Sequence, residues 1–297
     1  MMTKVVMLGT AGSAPTKDRR MPSVAVVYGG DVLLFDCGEG TQFQMLQYGI
    51  NPVKVRAMFI SHMHGDHTIG IAGLIRTMAL QNRKEPLYIY VPKGEEAPVR
   101  SLIIFDRAMI NYPIEIKGVR AGKVYEGKGY SVSAFKLAHT VPTYGYVFKE
   151  DDRLRFRKEL AHKLGVRGTM FGELQSKGSL VTGGRKVTLK ELAWTQQGKK
   201  IVYATDTRPV RETLGAAKDA DLLIHESSYV SSEQRLAERR KHSTAGEAAM
   251  LAKRAGVKML VLTHISARHR SDTQMLSDAR KFFRNTVVAR DGYSLVI

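Results

Sequence analysis

Between residues 62 and 67 the chain sets three imidazoles and a carboxylate, in the run Ser61-His62-Met63-His64-Gly65-Asp66-His67. The apolar stretch Ala57-Met58-Phe59-Ile60 comes directly before it and reads as a short buried strand. On an extended chain, residues i and i+2 point the same way, so His62 and His64 can share one metal ion. Asp66 and His67 fall where the chain must turn and can reach a second. Imidazole nitrogen and carboxylate oxygen suit a borderline-soft divalent ion: zinc by ligand type, with manganese or iron as alternatives. Further donors, His139, Asp206 and His264, each close a strand-like run. Two ions about 3.5–4 Å apart can clamp the attacking and leaving oxygens of a phosphoryl displacement. The expected division puts His62, His64 and His139 on one ion, Asp66, His67 and His264 on the other, and Asp206 between them. Asp36 is expected to orient a ligand histidine rather than to bind metal itself. A leaving alkoxide needs a proton, and His242, held by the carboxylate of Glu226, is the candidate donor.

The elements that must position these groups alternate between strand and helix. Val5–Leu8, Ser23–Val27, Val32–Phe35, Val55–Ser61, Leu87–Val91, Ile114–Val119 and Tyr130–Leu137 read as strands. Gly40–Tyr48 reads as a helix closed by Gly49, and Ile69–Leu80 as a second helix. The second half repeats the logic with strands at Lys200–Asp206, Ala220–Glu226 and Val257–Thr263. A helix at Ser243–Ala255 has Ser243 as N-cap, Glu247 in its first turns and Gly256 after its end. Asp36, His62, His139, Asp206 and His264 all fall at C-terminal ends of expected strands, where sites gather in α/β architectures. Two related halves predict a layered α/β sandwich with sheets inside and helices outside.

Composition narrows the partners. With 297 residues, 43% of them hydrophobic, the chain can bury one large core. No run reaches the ~18 apolar residues of a membrane span, and the N-terminal apolar run breaks at Gly9, so it reads as a first strand rather than a secretory signal. One cysteine, Cys37, excludes an internal disulfide and suits a reducing cytosol, so a cytoplasmic location is expected. A net charge of +18 favours a polyanionic partner, nucleic acid first. The charge concentrates in residues 149–200, with thirteen basic against six acidic side chains, including Arg153-Leu154-Arg155-Phe156-Arg157-Lys158 and a Gly-rich stretch over 165–184. Residues 150–198 are therefore expected to be a basic insertion into a single domain spanning 1–297. Such an arm can hold a phosphate backbone.

Taken together, these residues resemble the metallo-β-lactamase superfamily through His62-x-His64-x-Asp66-His67 with His139, Asp206 and His264. Within it they resemble the ribonuclease Z family. The narrower likeness lies in Leu8-Gly9-Thr10 with Pro15-Thr16-Lys17-Asp18-Arg19, in Phe35-Asp36-Cys37-Gly38-Glu39-Gly40-Thr41-Gln42, and in His139 followed by Val141-Pro142 and Tyr144-Gly145-Tyr146. Asp206-Thr207-Arg208-Pro209, His225-Glu226, His242-Ser243-Thr244-Ala245 and Thr263-His264-Ile265-Ser266-Ala267-Arg268 continue it. The resemblance implies an αββα sandwich with two mixed β-sheets and an inserted flexible arm. It also implies two zinc ions per chain, Asp66 as general base as well as ligand, and a homodimer. The implied reaction is hydrolysis of precursor tRNA at its 3′ side, removing the trailer and leaving a 3′-hydroxyl. Substrate contacts are implied for Lys17, Arg19 and Arg268, and for Arg155, Arg157 and Lys158 on the arm. Three departures stand out: Ser227-Ser228 where the family reads Ala-Thr, an insertion tip without proline, and His269 in place of an aromatic residue. The alternative is a phosphodiesterase acting on small diesters, which would use the same metals but need neither the charge nor the arm.

Overall fold

Val5-Val6-Met7-Leu8 is apolar at every position because the strand it forms is covered on both faces. Val5 and Met7 join one buried cluster, Val6 and Leu8 another. Ile201-Val202-Tyr203-Ala204 divides the same way, Ile201 and Tyr203 joining the cluster of Val5, while Val202 and Ala204 enter a third. The period of two thus separates a central core between two sheets from two outer cores beneath helices, which is an αββα sandwich.

The computed structural model describes residues 2–104 and 110–297. The first half runs β1 (Lys4–Gly9), β2 (Ala11–Gly12), β3 (Ser23–Tyr28), β4 (Asp31–Phe35), α1 (Thr41–Gln47), β5 (Val55–Phe59), α2 (Gly65–Thr68), α3 (Gly70–Leu80), β6 (Leu87–Pro92), α4 (Glu96–Ile104), β7 (Ile114–Val119), β8 (Gly122–Gly127), β9 (Tyr130–Lys136) and β10 (Tyr144–Glu150). Then come β11 (Arg153–Phe156), α5 (Lys158–Lys163), α6 (Met170–Lys177), β12 (Ser179–Thr182), β13 (Arg185–Thr188), α7 (Leu189–Leu192) and β14 (Ala193–Gln196). The chain closes with β15 (Lys200–Ala204), α8 (Arg211–Ala217), β16 (Leu222–Glu226), α9 (Gln234–Arg240), α10 (Ala245–Ala255), β17 (Leu260–Thr263), β18 (Ile265–Ser266), α11 (Thr273–Arg280), β19 (Thr286–Val288) and β20 (Ser294–Val296).

One seven-stranded sheet has the order β20-β1-β3-β4-β5-β6-β7, the other β19-β17-β16-β15-β10-β9-β8. Both are mixed: β4, β5, β6 and β7 run parallel, as do β15, β16, β17 and β19, while β1, β3 and β20 are antiparallel additions. The parallel strands carry most of the site at their C-terminal ends, while His139 follows antiparallel β9 and His242 follows α9. Four strands of the two large sheets, β8, β10, β19 and β20, were not expected from the sequence. β8 is a half-exposed edge with no apolar alternation, and β10 was hidden by its Gly145. The helix after His242 is capped one residue later than expected: Thr244, not Ser243, accepts the Glu247 amide, and the Thr244 amide donates to the Glu247 carboxylate at 2.9 Å. Ser243 instead donates to the Thr207 carbonyl at 2.5 Å, linking this turn to the strand end that carries Asp206.

Residues 150–198 form their own compact unit. Where the sequence showed a Gly-rich basic stretch, Ala161, Val166, Leu174, Leu180, Val187 and Leu192 assemble a small apolar core of their own. Their spacing follows neither helix nor strand period for long, because each short element contributes only one or two buried residues.

Candidate metal centre

The site is built where parallel strands stop. After β4 the backbone turns through Asp36 at φ 60°, after β15 through Asp206 at φ 27°, and after β17 through His264 at φ 56°. None is glycine, so all three sit in the sparsely populated left-handed region, held there by their surroundings. The Asp36 turn and the histidine run fit face to face. Cys37 N–H donates to the His67 carbonyl at 2.9 Å and Gly70 N–H to the Cys37 carbonyl at 3.0 Å. A Cβ on Gly38 would lie 2.3 Å from the Asp66 carbonyl oxygen, so only glycine permits this approach.

Two donor groups result. His62, His64, His139 and Asp206 form one, and Asp66, His67 and His264 the other, with the donor atoms of each within 4.8 Å of one another. Asp206 lies between them. Its Oδ2 is 3.7 Å from His62 Nε2 and from His139 Nε2, while its Oδ1 is 3.4 Å from His67 Nε2 and 3.0 Å from His264 Nε2. Asp66 Oδ2 lies 3.4 Å from His67 Nε2 and 3.6 Å from His264 Nε2, and accepts the Ser13 amide at 3.1 Å.

Each candidate donor imidazole but one is tied from behind by one ring nitrogen, leaving the other to face inward. His62 Nδ1 meets Ser61 Oγ at 2.9 Å, His67 Nδ1 meets Asp36 Oδ2 at 2.7 Å, His139 Nδ1 meets the Lys241 carbonyl at 3.2 Å, and His264 Nδ1 meets Ser228 Oγ at 2.9 Å. The exception, His64, turns its Nδ1 to within 2.9 Å of His62 Nε2. The inward Nε2 atoms of His67, His139 and His264 are buried without a hydrogen-bond partner. Buried nitrogens are rarely left so, and a cation at the centre of each group would engage them.

The electrostatics agree. Burial lowers His62 well below the ordinary imidazole range, with the neighbouring His67 adding to the effect, and burial also lowers His139; both favour the neutral, ligating form. Burial opposes ionised carboxylates, yet the imidazoles of His264 and His67 hold Asp66 and Asp206 well below the carboxylate range. Against burial, Asp206 and Asp36 draw His67 well above its usual range. The carboxylates call for positive charge at the centre, which a proton or a divalent ion supplies. Metal donors, orphaned nitrogens and charge all fit divalent cations.

Asp36 is fully buried and binds through neighbours. It accepts Ser61 N–H at 2.7 Å, Ser61 Oγ at 2.9 Å, His67 Nδ1 at 2.7 Å and Tyr203 OH at 2.7 Å. Glu226, also fully buried, meets His242 Nδ1 at 2.9 Å, accepts the Thr207 amide at 2.8 Å and accepts the Ser228 hydroxyl at 2.9 Å. Burial would lower the His242 pKa, but the adjoining Glu226 carboxylate overcomes it and pushes it up to about 9. The His242 ring lies 5.1 Å from that of His139 and 5.5 Å from that of His264, so it borders both donor groups, and with Asp206 and His264 it forms a third possible ligand set.

Ser61, Tyr203 and Ser228 were missed by sequence reasoning. Ser61 opens the histidine run. Ser228 stands two residues after Glu226. Tyr203 carried no signal beyond facing the central core. The basic residues expected to contact substrate divide. Lys17 is exposed. Arg19 must be corrected: it is buried, and its guanidinium is committed to Thr10 Oγ1 at 2.6 Å, the Ala289 carbonyl at 2.5 Å and Asp272 at 2.6 Å, so it braces the loop instead of facing solvent. Arg268 is half engaged, 3.3 Å from Glu233 and 5.1 Å from the Tyr229 ring centre. Arg155, Arg157 and Lys158 are exposed on the 150–198 unit.

Comparison with known proteins follows the same lines. Residues 3–159 match the family model described as anti-Pycsar protein Apyc1, and residues 170–265 match that of the β-lactamase superfamily domain. The chain is 42% identical to the ribonuclease Z of Methanosarcina acetivorans over 100% of its own length and 98% of the relative's. It is 43% identical to that of Methanosarcina mazei, covering 98% and 96%. Among solved structures, a metallo-β-lactamase fold protein from Bacillus subtilis superposes with a TM-score of 0.73 at 19% identity over both whole chains. Human short-form tRNase Z superposes with a TM-score of 0.71 at 24% identity over 98% of each. At full length and above 40% identity, the chain belongs to the ribonuclease Z family of metal-dependent endoribonucleases.

Proposed function

We propose that this chain removes the 3′ trailer from precursor tRNA with two zinc ions, leaving a 3′-hydroxyl on the tRNA. The observation that carries the reading is Asp206, with one carboxylate oxygen turned toward each of two complete donor groups and the His242–Glu226 pair alongside. The relatives named ribonuclease Z support it. His62, His64 and His139 would hold one ion and Asp66, His67 and His264 the other, with Asp206 shared. Bound there, divalent ions make water a better nucleophile near neutral pH and offset charge on the phosphoryl oxygens.

The chain's own groups divide the proton work. Asp66, aimed by the Ser13 amide, accepts the proton of the attacking water. His242, anchored through Nδ1 on Glu226, gives a proton to the 3′ oxygen as the P–O3′ bond breaks, and the phosphate departs with the trailer. We assign His242 to proton transfer rather than ligation because each donor group is complete without it. Lys17, Arg268 and the exposed Arg155, Arg157 and Lys158 bind phosphates of the tRNA body, and the functional unit is a cytoplasmic homodimer.

The test is cleavage of an end-labelled precursor tRNA by wild type, His242→Ala and a chain lacking residues 153–190, beside hydrolysis of bis-p-nitrophenyl phosphate. One discrete 3′ product from wild type, a lost turnover in the histidine variant, and lost tRNA binding with retained diester hydrolysis in the deletion are expected. Rapid small-diester hydrolysis by wild type with no tRNA cleavage would move the reading to a small-substrate phosphodiesterase.

A further inference from the structure

We infer that helix α9 and the residue after it form a docking surface for the RNA backbone on the 5′ side of the cut. This inference rests on the reading just given. Within seven residues α9 and Lys241 place Arg235, Arg239, Arg240 and Lys241, all exposed. Their local acids are engaged elsewhere: Glu233 pairs with Arg268 and His269, and Glu238 bonds Gln234 and lies 3.9 Å from Arg208. Among the described residues, these four cations make no ion pair. Arg239 and Arg240 in the last turn already answer the helix dipole, so the exposed Arg235 in the first turn and Lys241 past the end are cations the dipole does not call for.

Position supplies the second argument. The buried Ala237 carbonyl accepts the His242 amide at 2.9 Å, the Glu238 carbonyl accepts the Lys241 amide at 3.2 Å, and the Lys241 carbonyl bonds His139 at 3.2 Å. The cationic helix end and the proton-donating imidazole are therefore one hydrogen-bonded piece. His242 faces the leaving oxygen, and that oxygen belongs to the nucleotide 5′ of the scissile phosphate. The strand that continues from it, the body of the tRNA and not the trailer, is the polyanion that passes over α9. Charge complementarity and the polarity of the cut choose the same occupant.

Fluorescence anisotropy with mature tRNA and with a trailer-length RNA oligonucleotide, from 50 to 200 mM KCl, tests this on wild type and on the triple variant Arg235→Gln, Arg239→Gln, Arg240→Gln. Each phosphate contact adds about 0.9 to the slope of log affinity against log salt, so three contacts make wild type lose roughly 40-fold more affinity for mature tRNA across that range than the variant. Affinity for the trailer oligonucleotide is expected to be unchanged. The triple Arg→Lys variant, with charge kept, should retain the wild-type slope and controls for folding. An equal slope in the glutamine variant, or a loss confined to the trailer oligonucleotide, overturns the inference. Cleavage of precursor by wild type, read separately, decides the functional reading on which it stands.

Discussion

Asp36 is the position where one atom's worth of change should be felt in both stability and metal binding. Replacing it with asparagine keeps shape and removes one acceptor oxygen. In the native site Oδ1 accepts one donor and Oδ2 three. The least costly orientation turns the new NH₂ toward the Ser61 amide, setting donor against donor and losing that bond. The three remaining bonds then run to a neutral carbonyl. A bond to a charged group contributes about 1.5–3 kcal/mol and a neutral one about 0.5–1.5, so three weakened bonds and one lost bond sum to about 6 kcal/mol. For a chain of this size that is a fall in Tm of roughly 12–24 °C. The inward aim of His67 also slackens, because its Nδ1–H no longer points at a carboxylate, and affinity for the second ion should drop about 10–100-fold. Thermal melting in the presence of chelator reads the first effect, and competition against a chromophoric zinc chelator reads the second. If Asp36→Asn melts within 1 kcal/mol of wild type and retains two ions equally tightly, Asp36 does not organise this site and the reasoning fails.

Three further outcomes follow from the same geometry. Arg208 donates to the His242 carbonyl at 2.6 Å and pairs with Glu247 through two nitrogens. Arg208→Gln should therefore lower kcat on precursor tRNA about 10-fold while barely affecting bis-p-nitrophenyl phosphate, whose leaving group needs no proton; equal loss on both would mean general damage. Burial would raise Asp221, but Lys258 at 2.7 Å, the Lys200 amide and Lys199 outweigh it and hold the carboxylate below its usual range. A folded pKa below the unfolded one stabilises above the unfolded value and fades as pH falls through the folded value. Asp221→Asn should thus cost about 1 kcal/mol at pH 7, modest because Lys258 is well solvated, and less at pH 3 than at pH 7 by urea melts at the two pH values. Stripping the protein with chelator should abolish hydrolysis and lower Tm, and zinc should restore both; an unchanged Tm would mean that the orphaned Nε2 atoms of His67, His139 and His264 are not metal donors.

The sequence disclosed those parts of the protein that rest on spacing. Donors at i and i+2 after an apolar run, and acids or histidines closing later runs, are visible because strand period and ligand chemistry both show in residue type. Orientation does not show. Arg19 looks like any loop arginine until Asp272, 253 residues away, turns up beside its guanidinium. Ser228 reads as a polar turn until its hydroxyl is found between Glu226 and His264. The 150–198 unit hid its core because Ala161, Val166 and Leu174 come one or two to an element, below what a periodic pattern can register.

The three left-handed turns show why the arrangement depends on the whole fold. Asp36, Asp206 and His264 each stand at or one residue beyond the point where a parallel strand gives up its ladder, and each bends the chain at positive φ at a cost of order 1 kcal/mol or more. Glycine would relieve that cost at all three positions, but it carries no side chain for the site. What holds the turns is hydrogen bonding on both sides. The Asp36 amide reaches the Phe59 carbonyl at 3.0 Å, the Thr207 amide reaches buried Glu226 at 2.8 Å, and the Ile265 amide reaches the Thr10 carbonyl at 2.9 Å. Each bond joins one strand end to another, so no single turn can relax without disturbing its neighbour's ligand. Substituting glycine at Asp206 should therefore relieve backbone strain and still lose the site, whereas a substitution that frees the Thr10 carbonyl's strand from its partner should loosen His264 with every ligand still in place. The candidate donors are local in sequence only at the histidine run; their convergence is a property of the two packed sheets.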